Sequence, residues 1–184
     1  MSSLTPVEDA FLSTRMKALV AEFEFDPEYA NGLKIFAHKQ EVFEPIWSAY
    51  RSMLENGKLD RDLKELVRLK IAQNNDCSPY VEKQNLRRLR FAPEIAASLS
   101  EEKIAAVGAF EVSEVLTKRE KLALKFAEKL GIEPESLDDE FFEDLRSEFP
   151  DEEIVELAHV AAVGIGFERF LAVWQPRVCA LDTR

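Results

Sequence analysis

The amino-acid sequence predicts an all-α protein built as a single domain. Apolar residues recur at intervals of three and four along nearly the whole chain, which is the pattern of helices with one buried face. No stretch shows the apolar–polar alternation of a half-buried strand. The chain has 184 residues, and that length is enough for one domain with a substantial core.

Start and stop signals divide this pattern into separate helices. Asp60 is expected to cap one helix by accepting hydrogen bonds from its first N–H groups. Thr117 and Glu120 form a capping-box pattern at the start of another, and Gly57 is a candidate C-terminal cap. The predicted helices cover about 7–23, 27–38, 42–54, 60–73, 79–90, 94–99, 101–110, 117–131 and 151–174, and a further helix contains residues 141–145 and is ended by Pro150.

The first and last helices have distinct apolar patterns. The residues expected on the buried side of the first are Phe11, Met16, Leu19 and Val20. The last is apolar nearly all round between 157 and 165, so it is expected to be buried on several sides, with His159 as a core histidine. Gly164 and Gly166 lower the helix propensity but allow a neighbouring backbone to approach closely.

Composition and charge exclude several classes of function. The formal net charge of −11 argues against nucleic acid and against an anionic membrane, because both partners require a basic surface. The N-terminal segment lacks the features of a secretion signal, and the most apolar run, 160–167, is too short to span a bilayer. Cys77 and Cys179 do not form the framework of a secreted protein, so a cytoplasmic location is expected. His38 and His159 lack the spacing of a zinc motif, and no metal or cofactor is expected.

The stretch 60–90 contains the residues with the clearest chemical potential. A polar run at 73–76 separates two predicted helices, and Cys77 lies at the start of the second, where Pro79 suits a first helical position. The positive end of a helix dipole favours the thiolate, which is the nucleophilic form of cysteine. The alternative is that Cys77 is a small buried apolar residue, as most free cysteines are.

Glu65, followed by eleven residues and then Cys77, resembles the site of the alkylhydroperoxidase D (AhpD) and carboxymuconolactone decarboxylase family. In the redox-active members that glutamate and spacing lead into the motif Cys-x-x-Cys-x-x-x-His. Here Tyr80 stands at the second cysteine position and Gln84 at the histidine position.

The resemblance covers about residues 31–174. The segments 31–54, 116–130 and 151–174 are similar to parts of the peroxidase-related branch of the family. The resemblance implies an AhpD-like helical bundle over 31–174, preceded by an N-terminal helical arm, 1–30, and followed by a C-terminal tail, 175–184. It also implies a homo-oligomer, either a trimer or a hexamer.

The changed motif leaves three alternatives for function. In redox-active relatives, two cysteines alternate between dithiol and disulfide, while the glutamate and the histidine move protons. Tyr80 cannot form a disulfide, and Gln84 has no charge state that changes near neutral pH. The usual redox cycle of the family is therefore impossible in this chain.

In the first alternative, Cys77 is the nucleophile of a one-cysteine thiol peroxidase. A peroxide oxidises Cys77 to sulfenic acid, Glu65 is the nearby base, and an external thiol or Cys179 reduces the product. A carboxylate close to a thiol opposes thiolate formation, so Glu65 has to be protonated or linked through water. His38 is a further candidate, which would reach the pocket from a neighbouring helix.

The other two alternatives do not use the thiol. In one, Glu65 is the acid–base group of a cofactor-free lyase or decarboxylase for a small organic acid, and Tyr80 and Gln84 orient the substrate. Arg68 or the arginine cluster at 87–90 would supply a positive charge for that acid. In the last, the site has lost its activity and the chain is a non-catalytic helical oligomer.

Overall fold

The computed structural model describes residues 4–75 and 99–174, and within these residues it contains helices and no strands, which confirms the all-α fold class. The α-helices are α1 (Thr14–Glu22), α2 (Pro27–Phe36), α3 (Gln40–Glu55), α4 (Arg61–Asn74), α5 (Glu101–Ala106), α6 (Lys118–Ile132), α7 (Asp139–Arg146) and α8 (Asp151–Trp174). Short 3-10 helices cover Asp9–Phe11, Ala37–Lys39, Val107–Val112 and Pro134–Ser136.

Helix α4 lies at the centre of the molecule. It packs against α3, α6 and α8, and every residue from 63 to 72 except Arg68 is buried. The apolar spacing predicts a single buried stripe on this helix, and the observed burial extends around the whole circumference. The difference arises because neighbouring helices cover α4 from several directions, so even its polar residues are removed from water.

Three groups of apolar side chains form the core, and α4 contributes to each of them. One lies among α1, α2 and α3, the second among α4, α6, α7 and α8, and the third among α4, α5 and α6. A set of aromatic rings joins α2, α3 and α8: Phe36, Phe43, Trp47, Tyr50, Phe167 and Phe170. This packing holds α3 and α8 against α4.

The first predicted helix is interrupted near its start. Ser13 accepts a hydrogen bond from the N–H of Met16 and so begins α1 after a short 3-10 turn. Phe11 is 69% exposed, so its predicted burial is wrong, and the adjacent Leu12 enters the core instead. The predicted burial of Met16 and Leu19 is confirmed.

The helix caps divide into confirmed and corrected predictions. The Thr117 hydroxyl accepts the N–H of Glu120, whose carboxylate accepts the N–H of Thr117 at 2.8 Å, so the capping box is confirmed. Asp60 precedes α4, but its side chain makes no capping hydrogen bond, so that predicted cap is wrong. Gly57 has a φ of 111°, a left-handed conformation that side chains disfavour, and it directly follows Asn56, the C-cap residue of α3.

Helix α8 contains one close approach rather than two. A Cβ atom added at Gly164 would lie 3.2 Å from Cδ1 of Ile71 and 3.3 Å from the hydroxyl oxygen of Tyr50, so the neighbours are side chains and not a backbone. Nothing lies within 4 Å of the corresponding position at Gly166. His159 is exposed, and its Nδ1 lies 2.8 Å from a carbonyl oxygen one turn earlier, so the prediction of a core histidine is wrong. Within the described residues, the helices packed on α8 leave that side uncovered.

Candidate functional site

Glu65 lies in a buried polar cluster where α3, α4 and α8 meet. It is 5% exposed, and its Oε2 accepts a hydrogen bond from Nη1 of Arg68 at 2.9 Å. The two residues are three positions apart on α4, a spacing that places their side chains on the same face. The Arg68 side chain is 25% exposed and the Glu65 side chain 6%, so the guanidinium is closer to solvent than the carboxylate.

Tyr50 of α3 contributes a phenol to the same region. It is 7% exposed, and burial raises the pKa of its hydroxyl to about 12. The positive charge of Arg68 opposes this increase in pKa, whereas the negative charges of Glu168 and Glu65 add to it. The phenol therefore stays neutral at physiological pH and keeps its proton available for a hydrogen bond.

Glu168 brings a second buried carboxylate to the cluster from α8. It is 8% exposed and follows Gly164 by one helical turn. Side chains on an α-helix lean toward its N-terminus, so Glu168 extends over the turn that contains Gly164. The hydroxyl of Tyr50 lies against that same glycine. Charges from α4 and from α8 thus act on a single phenol.

Aromatic rings shield this cluster. The centroid of the Tyr50 ring lies 5.2 Å from that of Phe167 and 6.1 Å from that of Trp47. Phe43 packs beside both of these rings, with centroid distances of 6.0 Å to Phe167 and 5.7 Å to Trp47. Apolar rings around a polar cluster lower the local dielectric constant and so strengthen the electrostatic interactions among its charged groups.

Several predicted site residues lie outside the described residues. They are Cys77, Tyr80 and Gln84, together with Cys179. Of the predicted acid–base residues, Glu65 is described and occupies the buried cluster.

His38 occupies an exposed 3-10 turn between α2 and α3. Its Nε2 lies 2.8 Å from the carbonyl oxygen of Thr5, so the imidazole contacts the N-terminal segment of the chain. His38 therefore contacts a backbone carbonyl group near the N-terminus, and Glu65 contacts the guanidinium of Arg68. The role of His38 in a pocket stays a prediction.

Neither a metal centre nor a membrane span is found in the part of the chain that the structure describes. Within 4–75 and 99–174, no group of three or more His, Cys, Asp or Glu side chains is placed to hold a metal ion. In the same ranges, no helix combines the length and the apolar character needed to cross a bilayer.

Tyr50 and Glu168 are not among the residues that the sequence predicts for the site, and Arg68 is predicted only as a positive charge for an organic acid. Tyr50 has the spacing of an ordinary core residue, and Glu168 follows the apolar part of α8 without a local signal of burial. Only the pairing of Glu65 with Arg68 has a sequence signal, because a carboxylate and a guanidinium three residues apart on a helix are neighbours. The other contacts arise between helices.

Comparisons with known proteins give matches among solved structures. No family model and no curated protein matches the chain. An uncharacterized peroxidase-related protein with an AhpD core, from Ralstonia eutropha JMP134, is 20% identical with a TM-score of 0.70, over 92% of this chain and 88% of that chain. A protein of unknown function from Agrobacterium tumefaciens, described as a putative antioxidant defence protein AhpD, is 22% identical with a TM-score of 0.60, over 73% and 88%. The debrominase Bmp8 is 19% identical with a TM-score of 0.68, over 95% and 90%.

These likenesses define the class of the molecule as an all-α protein with the AhpD-like fold. Its structural neighbours include peroxidase-related proteins, as the resemblance of the Glu65 region implies. The fold predicted from that resemblance is confirmed.

Proposed function

We propose that this chain is a thiol-dependent oxidoreductase that reduces small organic hydroperoxides, with Cys77 as its nucleophile and Glu65 as its acid–base group. The observation that supports the proposal is the buried ion pair between Glu65 and Arg68. The AhpD-like fold agrees with it, since two structural neighbours are described in terms of peroxide chemistry or antioxidant defence.

The position of this ion pair beside other buried titratable groups favours a functional role over a purely structural one. Removing two charges from water costs free energy that their attraction often does not recover, and apolar residues of similar volume fill a core at least as well. Charged groups held in a shielded position beside other titratable groups are typical of functional sites. The Glu65 carboxylate, with Tyr50 and Glu168 nearby, has these properties.

Arg68 also removes an objection to a carboxylate acting beside a thiolate. An isolated negative charge disfavours thiolate formation in its neighbourhood. With its guanidinium 2.9 Å away, Glu65 is part of a pair that has no net charge. The repulsion from Glu65 itself is then reduced, although Glu168 adds a second negative charge to the cluster, and a carboxylate oxygen remains to accept a proton directly or through water.

The proposed cycle has three balanced steps. The Cys77 sulfur attacks the outer oxygen of the hydroperoxide, the O–O bond breaks, and Cys77 thiol plus ROOH become Cys77 sulfenic acid plus ROH. Glu65 takes the thiol proton and returns it to the departing alkoxide. One external thiol then condenses with the sulfenic acid, releasing water and leaving a mixed disulfide, and a second displaces Cys77 to give the oxidised disulfide of the external thiol.

Mass spectrometry of the whole protein after one equivalent of cumene hydroperoxide tests this proposal. With a sulfenic-acid trap present, we expect the trap on Cys77 at neutral pH and none in Cys77→Ser. Glu65→Gln is expected to slow the labelling about 100-fold or more, because a positioned acid–base group typically contributes that much. An unmodified Cys77 in the wild-type protein overturns the proposal.

Two controls make the result specific. Glu128→Gln removes another carboxylate that is ion-paired with α4, through Lys70 at 2.5 Å, and is expected to leave labelling of Cys77 unchanged. Cys179→Ser separates reduction by an external thiol from reduction within the chain. A halogenated pyrrole belongs among the alternative substrates, because a cysteine-to-alanine variant of the neighbour Bmp8 forms a complex with 2,3,4-tribromopyrrole.

A second candidate is a cofactor-free lyase that acts on a small organic acid. The ion pair between Glu65 and Arg68 supports a lyase in one respect, because Arg68 supplies a positive charge directly beside the acid–base group Glu65. Activity that survives Cys77→Ser but is lost in Glu65→Gln would identify the lyase. Activity lost in both variants supports the peroxidase.

A further inference from the structure

We propose that a small cavity between the C-terminal ends of α4 and α6 is a binding site for one water molecule, held by the side-chain amide of Asn74. Three observations carry the proposal: a buried amide nitrogen without a partner, a cavity of matching size beside it, and a glycine that keeps the cavity open. The site does not depend on the proposed function.

The side-chain amide of Asn74 is a buried donor whose capacity for hydrogen bonding is unused. Its Nδ2 is shielded from solvent and has no hydrogen-bond partner in the part of the chain that the structure describes. The amide of the next residue differs, because Nδ2 of Asn75 donates to the carbonyl oxygen of Ile71 at 3.0 Å. Buried side-chain donors in native proteins almost always have a partner, either a protein group or an ordered water. The amide of Asn74 therefore calls for a bound acceptor.

The cavity beside this amide has room for one small molecule. Its volume is about 10 Å³, and a single buried water needs about 10–15 Å³. An organic ligand is too large for such a space. The residues that line it combine two isoleucines with polar groups from α4, α6 and α8: Ile71, Asn74, Asn75, Gly131, Ile165 and Arg169.

Gly131 is the residue that keeps this space open. A Cβ atom added there would lie 3.9 Å from Nδ2 of Asn74 and 3.5 Å from Cδ1 of Ile165, which are ordinary contact distances. A methyl group would therefore fit, and it would occupy the space in front of the amide. A water oxygen about 1 Å nearer to Nδ2 than this Cβ position is within hydrogen-bonding distance.

The ends of two helices supply the acceptors that a bound water also needs. Helix α4 ends at Asn74 and α6 at Ile132, and the last carbonyl groups of a helix have no partner within it. The carbonyl oxygen of Gly131 accepts a hydrogen bond from the guanidinium of Arg169, and a carbonyl oxygen has a second lone pair. The water accepts from Asn74 and donates to a carbonyl group at the end of α6. It thus joins the two helix ends.

The variant Gly131→Ala, made in the wild type and in Asn74→Leu, tests the site through the sign of its effect on the Tm. In the wild type the methyl group displaces the water and leaves the amide unpaired, so the Tm is expected to fall by about 2–4 °C. In Asn74→Leu there is no amide to satisfy. The same alanine then gains helix propensity and fills a void, and the Tm is expected to rise by about 2–4 °C. An effect of the same sign in both backgrounds overturns the site.

Gly108→Ala is the matched control for this comparison. A Cβ atom added at Gly108 would also lie near a side-chain amide, at 3.8 Å from Oε1 of Gln73. Its effect on the Tm is expected to be equal in the wild type and in Asn74→Leu. A dependence on Asn74 as large as that of Gly131→Ala overturns the site.

A high-resolution crystal structure of the whole chain tests the site directly. We expect electron density for one water oxygen at about 2.7–3.2 Å from Nδ2 of Asn74, and its loss in Gly131→Ala. A protein group bonded to that nitrogen, or no density in the cavity, overturns the site. Neither outcome depends on oxidation of Cys77, so the proposed function is tested separately.

Discussion

At the scale of single residues, the buried charges show how strongly context decides the role of a side chain. Lys64 is 1% exposed, although lysine is ordinarily a surface residue. Its ammonium donates hydrogen bonds to the carbonyl oxygens of Met53, at 2.7 Å, and Asn56, and it forms an ion pair with Glu156 at 2.5 Å. Lys64 therefore joins the end of α3 to α8 through α4.

Lys64→Met is expected to lower the free energy of unfolding by about 2–3 kcal/mol, because it leaves the partly buried carboxylate of Glu156 without its cation and the carbonyl oxygens of Met53 and Asn56 without their donor. The matched control is Lys58→Met, since Lys58 also pairs with α8, through Glu152, but its side chain is 62% exposed. That control is expected to change the free energy of unfolding by no more than about 0.5 kcal/mol. Urea denaturation measures both, and equal effects would show that the burial of Lys64 is unimportant for stability.

At the scale of elements, α4 and α8 show why position within the bundle matters more than composition. Helix α4 is buried around its circumference, whereas α8 has an exposed face that includes Val155 and His159, so its predicted burial on several sides is wrong; the two helices approach each other closely at Gly164 and Ile71. Gly166 lies half a turn further along the same helix, where a side chain has room. Two glycines with similar sequence surroundings therefore have different structural roles.

Replacing each glycine by alanine separates these roles. Gly166→Ala is expected to raise the free energy of unfolding by about 1 kcal/mol, which is the difference in helix propensity between the two residues. Gly164→Ala gains the same propensity but places a Cβ atom 3.2 Å from Ile71 and 3.3 Å from Tyr50. We expect it to be less stable than Gly166→Ala by about 1 kcal/mol or more. Equal stabilities by urea denaturation would contradict the close contact at Gly164.

At the scale of the whole molecule, the chain has a net charge of −11. Local ion pairs that require ionised carboxylates stabilise its fold. Burial raises the pKa of Glu156, but hydrogen bonds from Lys64 and from the N–H groups of Lys58 and Leu59 outweigh that effect and lower the pKa below its ordinary value. Glu120 has the same balance, with burial opposed by Lys103 and Thr117. The homo-oligomer that the resemblance implies stays a prediction at this scale.

The pH dependence of stability follows from these carboxylates. Because their pKa values are lower in the folded than in the unfolded protein, the stabilisation is fully present above about pH 4.5 and is lost as the pH falls through the folded values. The Tm is therefore expected to decrease steadily between pH 5 and pH 3. In Glu156→Gln the Tm is expected to be lower at pH 7 and to fall less between these values. An equal fall in both proteins would show that Glu156 does not contribute.

The sequence by itself determined the helical class, most of the helix boundaries and the frame of the candidate site. Periodicity and capping signals such as Thr117 and Glu120 act over a few residues, so they can be recognised without knowledge of the fold. The spacing from Glu65 to Cys77 likewise belongs to one continuous stretch.

Only the tertiary structure decided which side chains surround Glu65. Arg68 is a local neighbour on α4, but Tyr50 and Glu168 come from α3 and α8, fifteen residues before Glu65 and about a hundred after it by their numbers. Their meeting depends on how three helices pack, and no periodic pattern records that arrangement. The same packing buried Lys64 and left Phe11 and His159 exposed, because burial reflects coverage by other helices rather than the polarity of a residue.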